Sequence, residues 1–199
     1  MLKSERTKIF IIETVAPIFN KNGYSAMSLS KITEATGLTK GAIYGHFANK
    51  EELAQEAFRY SVRRVLKDLN DVVNKGRTPL GMLLNIPEFY RNYYEYNKQF
   101  GGCPILNIGV DSDHQNGSIS DLVRSYNYRI LEKFAALIDK AKESDEVENT
   151  INSMVYAKRF FYMIEGAVYM SHIMRDDSYL IDVSDTIIKI IKNELEKTK

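Results

Sequence analysis

Helix stop and start signals crowd into one short stretch of this chain and leave it little choice of fold. Ser28 is an N-cap type of residue ahead of Leu29 and Ile32, and Gly37 is placed to close the helix they begin. Thr39 then caps a further helix predicted to run to about Phe47. Asn49 caps another, with Glu52 spaced to reach back to the cap amide. Helices this short do not persist alone, because nucleation is costly and few hydrogen bonds follow it, so they must brace one another. Upstream, Ile9, Ile12, Ala16 and Phe19 recur at helical steps and predict a first helix over about residues 3–21. Gly23 ends it, and Pro17, which deprives the Glu13 carbonyl of its donor, predicts a kink.

The rest of the chain keeps the helical period. Leu53, Ala57, Val65, Leu69 and Val72 fall in register from Lys50 to about Asn74. Pro79 opens a segment rich in aromatic residues (Phe89, Tyr90, Tyr93, Tyr94, Tyr96, Phe100), with Pro87 as a candidate break. Gly101-Gly102-Cys103-Pro104 reads as a turn, Ile105 to Val110 as a short apolar piece, and Asp111 to Ser118 as a polar loop. A helix over Ile119 to Lys142 follows, then a polar break at Glu143 to Glu146. Two last helices are predicted over about Val147–Met174 and Leu180–Lys197. No alternating pattern bounded by hairpin turns and no repeat interrupts this. The expected fold is all-α: an N-terminal three-helix unit with a helix-turn-helix over residues 1–50, then a larger helical domain over residues 51–199.

A helix-turn-helix needs a supporting helix, a tight turn, and a second helix with a front narrow enough for the DNA major groove. Gly37 allows the left-handed backbone of such a turn, and Leu38 can tie the two helices together. Thr39, Lys40, Gly41 and Ala42 give the next helix a front of small, polar or basic groups, while Ile32, Leu38, Ile43 and Phe47 have the spacing of a core. Charge agrees. The chain as a whole carries only +1, but residues 1–50 hold seven Lys or Arg (Lys3, Arg6, Lys8, Lys21, Lys31, Lys40, Lys50) against Glu5, Glu13 and Glu34, a local +4 that leaves −3 for the remainder. A basic front end on a slightly acidic body fits phosphate binding by one part and another task for the rest.

The string Gly23-Tyr24, Ser28, Ile32, Gly37-Leu38-Thr39-Lys40-Gly41-Ala42-Ile43-Tyr44, His46-Phe47 and Asn49-Lys50-Glu51-Glu52-Leu53 resembles the DNA-binding domain of the TetR family of bacterial regulators, over about residues 5–55. The resemblance implies that Ser28 and Lys31 lie near phosphates. It implies that Thr39, Lys40, Gly41, Ala42, Tyr44 and His46 form the recognition surface, and that Lys50 meets phosphate at the start of the fourth helix. Met27, Thr33, Thr36 and Gly45 depart from the usual pattern. Gly45 also lowers helix propensity and removes one possible base or backbone contact.

The resemblance further implies an effector-binding and dimerisation domain beyond the fourth helix, and thus a repressor that is a homodimer on a pseudo-palindromic double-stranded operator. The residues lend support: rings with polar tips suit a cavity for a planar or apolar effector, and Phe89, Tyr93, Tyr94, Cys103, Tyr126, Phe161 and Glu165 are its candidate lining. Each ring taken singly reads first as an ordinary core residue, and Glu165 equally as part of an exposed face or a structural bond. In the last two helices, Met154, Tyr156, Phe160 and Ala167, then Ile181, Ile187, Ile188, Ile190, Ile191 and Leu195, put apolar groups on more than one side, as pairing with a second subunit requires. Gly101-Gly102-Cys103-Pro104-Ile105-Leu106 is similar to a segment in the TetR subgroup that includes the N-ethylmaleimide-reductase repressor, which implies a thiol reactive toward electrophiles. The alternative for Cys103 is a small buried hydrophobe.

Other function classes find little in the sequence. No Ser-His-Asp constellation, paired-carboxylate motif or phosphate-cradling glycine loop stands out, so an all-helical enzyme is the distant alternative and a transcriptional activator the nearer one. No cofactor or metal is expected, since Cys103 is the single cysteine and His46, His114 and His172 share no ligand spacing. No apolar run approaches the roughly 20 residues that span a bilayer, and the expectation is a soluble cytoplasmic protein.

Overall fold

A computed structural model describes residues 3–113 and 117–197. Among these the helices are α1 (Lys3–Asn22), α2 (Leu29–Thr36), α3 (Lys40–Tyr44), α4 (Lys50–Val73), α5 (Pro79–Arg91), α6 (Tyr93–Lys98), α7 (Pro104–Ser112), α8 (Ser118–Glu143), α9 (Ser153–Met174) and α10 (Ser178–Ile190). A π-helical turn, Ile191–Leu195, follows α10. The one extended pairing among the described residues is an isolated antiparallel bridge between Val147 and Glu196, so the fold is all-α as expected. The chain divides into two compact units, Met1–Val65 with Gln99–Ser125 and Leu66–Lys98 with Tyr126–Lys199.

In the first unit α1 buries Ile11, Val15, Ala16, Phe19 and Asn20, while Ile9 is 41% exposed. Ala16 and Phe19 of the predicted row are thus buried, while at its start Ile11 and Val15 turn inward in place of Ile9 and half-buried Ile12. The start of α1 is apolar at four consecutive positions, 9–12, and period alone does not choose among them. The helix runs unbroken past Pro17 and ends at Gly23, whose φ is +79°. Any Cβ there would stand 2.6 Å from Asp111 Oδ1, so the position requires glycine for space as well as for backbone. Buried Asn20 donates through Nδ2 to the carbonyls of Phe100 (2.6 Å) and Gly102 (2.9 Å), and Asn107 Nδ2 donates to Gly101 O (2.7 Å). These bonds satisfy the carbonyls of a buried turn that offers them no helical partner.

In the second unit α10 packs on α9 and α5, and Ser184 Oγ donates to Pro87 O at 2.9 Å. Arg91 joins Asp185 at 2.5 Å and Glu88 at 3.1 Å.

Several boundaries differ from the sequence reading. Helix α3 stops at Tyr44 instead of Phe47, because Gly45 follows and is a poor helix former. Helix α5 passes through Pro87, which is buried, and breaks at Asn92. The apolar piece after Pro104 is a helix that takes in Asp111 and Ser112 from the expected loop; residues 114–116 of that loop, with His114, lie outside the described residues. Helix α9 begins at Ser153 instead of Val147, since the Asn152 side chain caps it by accepting from Val155 N–H at 3.1 Å.

Candidate nucleic-acid interface

The turn between α2 and α3 is built from side chains that satisfy backbone groups locally. Ser28 Oγ accepts from Lys31 N–H at 3.3 Å to start α2. Gly37, at φ +68°, ends it with its own N–H on Thr33 O at 2.9 Å. Thr36 Oγ1 donates to Ile32 O at 2.8 Å and accepts from Leu38 N–H at 3.3 Å, which carries the chain round the corner. Thr39 Oγ1 accepts from Ala42 N–H at 3.2 Å and opens α3. Beneath the turn Met27, Ile32, Ile43 and Phe47 are each 2% exposed or less. Leu38, expected among them, is half-buried. The fourth helix starts on Asn49 Oδ1, which accepts from Glu52 N–H at 2.9 Å. The Glu52 carboxylate returns to Ala48 N–H at 2.6 Å, one residue before the amide that the capping spacing implied.

One exposed surface results. Thr39, Lys40, Gly41 and Ala42 are exposed at the front of α3, and nothing lies within 4 Å of the place a Cβ on Gly41 would take. Tyr44 and His46 are half-buried, and Lys40 Nζ is 5.9 Å from the centre of the Tyr44 ring. Ser28 and Lys31 are exposed on α2, with Lys31 Nζ donating to Ala26 O at 3.0 Å. Half-buried Lys50 lies with Nζ 4.3 Å from the centre of the Tyr24 ring. Burial draws the Lys50 ammonium below the usual lysine range, and Asp111 opposes that shift. Burial and the nearby Glu51 carboxylate raise the Tyr24 hydroxyl. Tyr24 N–H donates to Asp111 Oδ2 at 2.7 Å. Tyr24 and Asp111, which sequence reasoning did not count as site residues, therefore set where Lys50 stands. No periodicity could have revealed a contact between residues so far apart in the chain.

The candidate effector residues fall in different places. Phe89, Tyr93, Tyr94, Tyr126, Phe161 and Glu165 belong to the second unit and Cys103 to the first. Phe89 and Tyr93 share a ring cluster with Tyr90 and Tyr96, with centroids 5.8 Å apart and Tyr93 only 2% exposed. Asn97 Nδ2 donates to the Tyr93 hydroxyl at 2.9 Å. Tyr126 is buried on α8, Tyr94 and Glu165 are half-buried, and Phe161 meets Phe134 edge-on at 6.5 Å. Cys103 is 7% exposed at the N-cap of α7, with no side-chain capping bond. A cavity of about 250 Å³ opens in the second unit among the end of α4, α5 and α8. None of the seven lines it, though Phe134 does.

Two family models match the sequence. One, described as bacterial regulatory proteins, tetR family, covers residues 11–57, and one described as tetracyclin repressor-like, C-terminal domain, covers residues 79–187, more than half of the chain. The chain belongs to the TetR family. A TetR-family transcriptional regulator from Cytophaga hutchinsonii is 30% identical and superposes with a TM-score of 0.91 over 100% of this chain and 99% of that one. A TetR transcriptional regulator from Chloroflexus aurantiacus is 27% identical, with a TM-score of 0.94 over 100% of both chains. An uncharacterised HTH-type transcriptional regulator of Bacillus subtilis, YxaF, is 22% identical over 193 residues, 92% of this chain and 94% of its own length. The TetR family is one of transcriptional regulators, not enzymes, and this member is a DNA-binding transcriptional regulator.

Two of the positions where this TetR-family head departs from the usual pattern, Met27 and Thr36, have structural reasons. Met27 is fully buried and fills the core under the turn, and the hydroxyl of Thr36 serves the turn itself. Thr33 Oγ1 donates to Ser30 O at 2.8 Å on the outside of α2. Among the described residues no helix is long and apolar enough to cross a membrane.

Proposed function

We propose that this chain is a homodimeric repressor that leaves its operator when a small effector binds, with residues 1–50 as the DNA-binding head and residues 51–199 as the effector-binding and dimerisation body. The observation that carries the reading is the bare front of α3, where Thr39 to Ala42 are exposed on a helix anchored by buried Ile43. Thr39, Lys40, Gly41, Ala42, Tyr44 and His46 then face the major groove. Lys40 is a donor to a guanine edge or a phosphate, and Ala42 a contact for a thymine methyl. Ser28, Lys31 and Lys50 hold phosphates and set the register.

Support for the dimer comes from α9, where Val155, Tyr162, Tyr169 and Ile173 are 51–63% exposed at seven-, seven- and four-residue steps, one row along the helix. Ile181 on α10 is 39% exposed, and Gly166 has nothing within 4 Å of a Cβ position, so a partner helix can approach closely there. Half of the ten residues named from sequence for this role, Phe160, Ala167, Ile187, Ile191 and Leu195, are buried in their own unit instead. Two-fold pairing doubles the operator contacts and demands reading heads about 34 Å apart, so a modest effector-driven shift of α4 releases DNA. The effector is aromatic, apolar or electrophilic; Phe89, Tyr93, Tyr94, Tyr126, Phe161 and Glu165, the residues expected from sequence to meet it, stand outside the lining of the second unit's cavity, so contact with them is not part of this reading. The electrophilic branch rests on Cys103 and its similarity to the N-ethylmaleimide-reductase repressor segment. The work is done in the cytoplasm, with the DNA.

The test is binding to duplex DNA from the region flanking the protein's own gene, with and without a panel of aromatic, cationic and electrophilic compounds. Lys40→Ala and Tyr44→Ala are expected to abolish retention in a gel shift, and unchanged retention overturns the DNA reading. Tyr162→Glu is expected to give monomers by analytical ultracentrifugation. A slow thiol at Cys103, with DNA affinity indifferent to its alkylation, removes the electrophilic branch. Transcription from the same promoter in vitro separates repression from activation.

A further inference from the structure

The cavity of the second unit is apolar in its body and basic at its rim. Leu69 from α4, Ile86 from α5 and Phe134 from α8 form its walls, and Lys133 and Lys140, both exposed, stand beside it on α8. No Asp or Glu is in its lining among the described residues. The contrast with the next lysine on the same helix is direct. Lys142 Nζ lies 3.0 Å from Asp139 Oδ1 and donates to Ser153 Oγ at 2.6 Å, so its charge is already answered. Among the described residues Lys133 and Lys140 have no ion-pair partner, and their spacing of two helical turns puts both on the cavity's side of α8.

We propose that this cavity is the effector site and that its ligand is an amphipathic monoanion: an apolar body of about eight carbons ending in a carboxylate. The proposal rests on the reading of the chain as an effector-controlled regulator. The size follows from the volume, because about 250 Å³ is roughly eight times the ~30 Å³ share of one liquid water, and a methylene group has similar bulk. The charge follows from the rim. The apolar body displaces water from Leu69, Ile86 and Phe134, while the carboxylate stays part-hydrated between two ammonium groups and avoids the cost of burial without a partner.

Calorimetric titration of the full chain with octanoate and with 1-octanol, at low ionic strength, tests this. Octanoate is expected to bind more tightly than octanol. Lys133→Met with Lys140→Met, which keeps the apolar stems, is expected to weaken octanoate about 3- to 20-fold and leave octanol unchanged. Thermal unfolding checks that the variant is folded, and Ala136→Phe at the exposed rim is expected to block both probes. Equal affinity of octanoate for wild type and the double variant overturns the proposal, as does octanol binding as tightly as octanoate, or no octanoate binding. Operator affinity, measured separately, distinguishes the two failures. Operator release by other compounds without octanoate binding overturns the site and leaves the regulator reading standing. Lysine-dependent octanoate binding that leaves operator affinity unchanged overturns the assignment of the cavity as the effector site.

Discussion

Replacing Gly41 with alanine separates what the front of α3 does for the fold from what it does for DNA. Gly41 is the second residue of α3, exposed, with nothing within 4 Å of a Cβ position. Inside the protein the methyl disturbs no contact, and alanine is favoured over glycine in a helix by about 0.5–1 kcal/mol. In a domain of this length that corresponds to a rise of roughly 1–4 °C in Tm. Against a duplex the same methyl stands between helix and groove. Holding the backbone off by that width takes the flanking donors out of hydrogen-bond range, and an affinity loss of at least about tenfold, ~1.4 kcal/mol, is expected. The assay is a fluorescence anisotropy titration of labelled duplexes from upstream of the protein's gene, at one fixed salt concentration because phosphate contacts make affinity salt-dependent. Circular dichroism melts accompany it. Unchanged affinity with a raised Tm refutes the insertion of α3, and a lowered Tm refutes the free space around Gly41. Gly45→Ala is the internal contrast: its Cβ meets Gly41 O at 3.3 Å, so less stabilisation is expected.

Lys31→Gln and Lys50→Gln should each reduce the slope of log affinity against log salt by about 1, and weaken binding evenly across DNA sequences, as phosphate contacts do. Gly37→Ala should lower the unfolding free energy by about 1–2 kcal/mol in urea titration, a backbone cost alone since nothing crowds the site, and Gly37→Asn should lower it by less. Acid unfolding should follow two carboxyls: the Ser153 hydroxyl and the Lys142 ammonium hold Asp139, and the Arg91 guanidinium holds Asp185, below the usual carboxylate range. Their contribution is complete above the unfolded value of about 3.9 and is lost as pH falls through the lower folded values, so Asp185→Asn should lower the plateau at neutral pH and make the fall below about pH 4 shallower.

Local chemistry was legible in the sequence and packing choices were not. Ser28, Gly37, Thr39 and Asn49 each act on backbone groups within a few residues, so their types and spacing announced the caps that the structure contains. The inward face of α1 was not legible, because Ile9 and Ile11 satisfy the same period and only the partner helices choose between them. The cavity was not legible for a related reason. Its apolar walls are Leu, Ile, Val and Met with the single ring of Phe134, the residues of any helical core, whereas the conspicuous rings at Phe89, Tyr90, Tyr93 and Tyr96 pack on one another.

The proposed recognition surface lies within the first fifty residues, but its geometry draws on residues far beyond them. Lys50 lies on the Tyr24 ring, Tyr24 donates its backbone N–H to Asp111, and Asp111 belongs to α7. The turn that starts α7 is bound in its turn to the end of α1, through Asn20 on the carbonyls of Phe100 and Gly102 and through Asn107 on Gly101 O and Asn20 O. Gly23 lets the chain pass against the Asp111 carboxylate, where any side chain would collide. The phosphate contact proposed for Lys50 therefore depends on a closed set of bonds between residues 20–24 and 100–111. Any change that moves α7 alters the placement of that charge without touching the helix-turn-helix sequence.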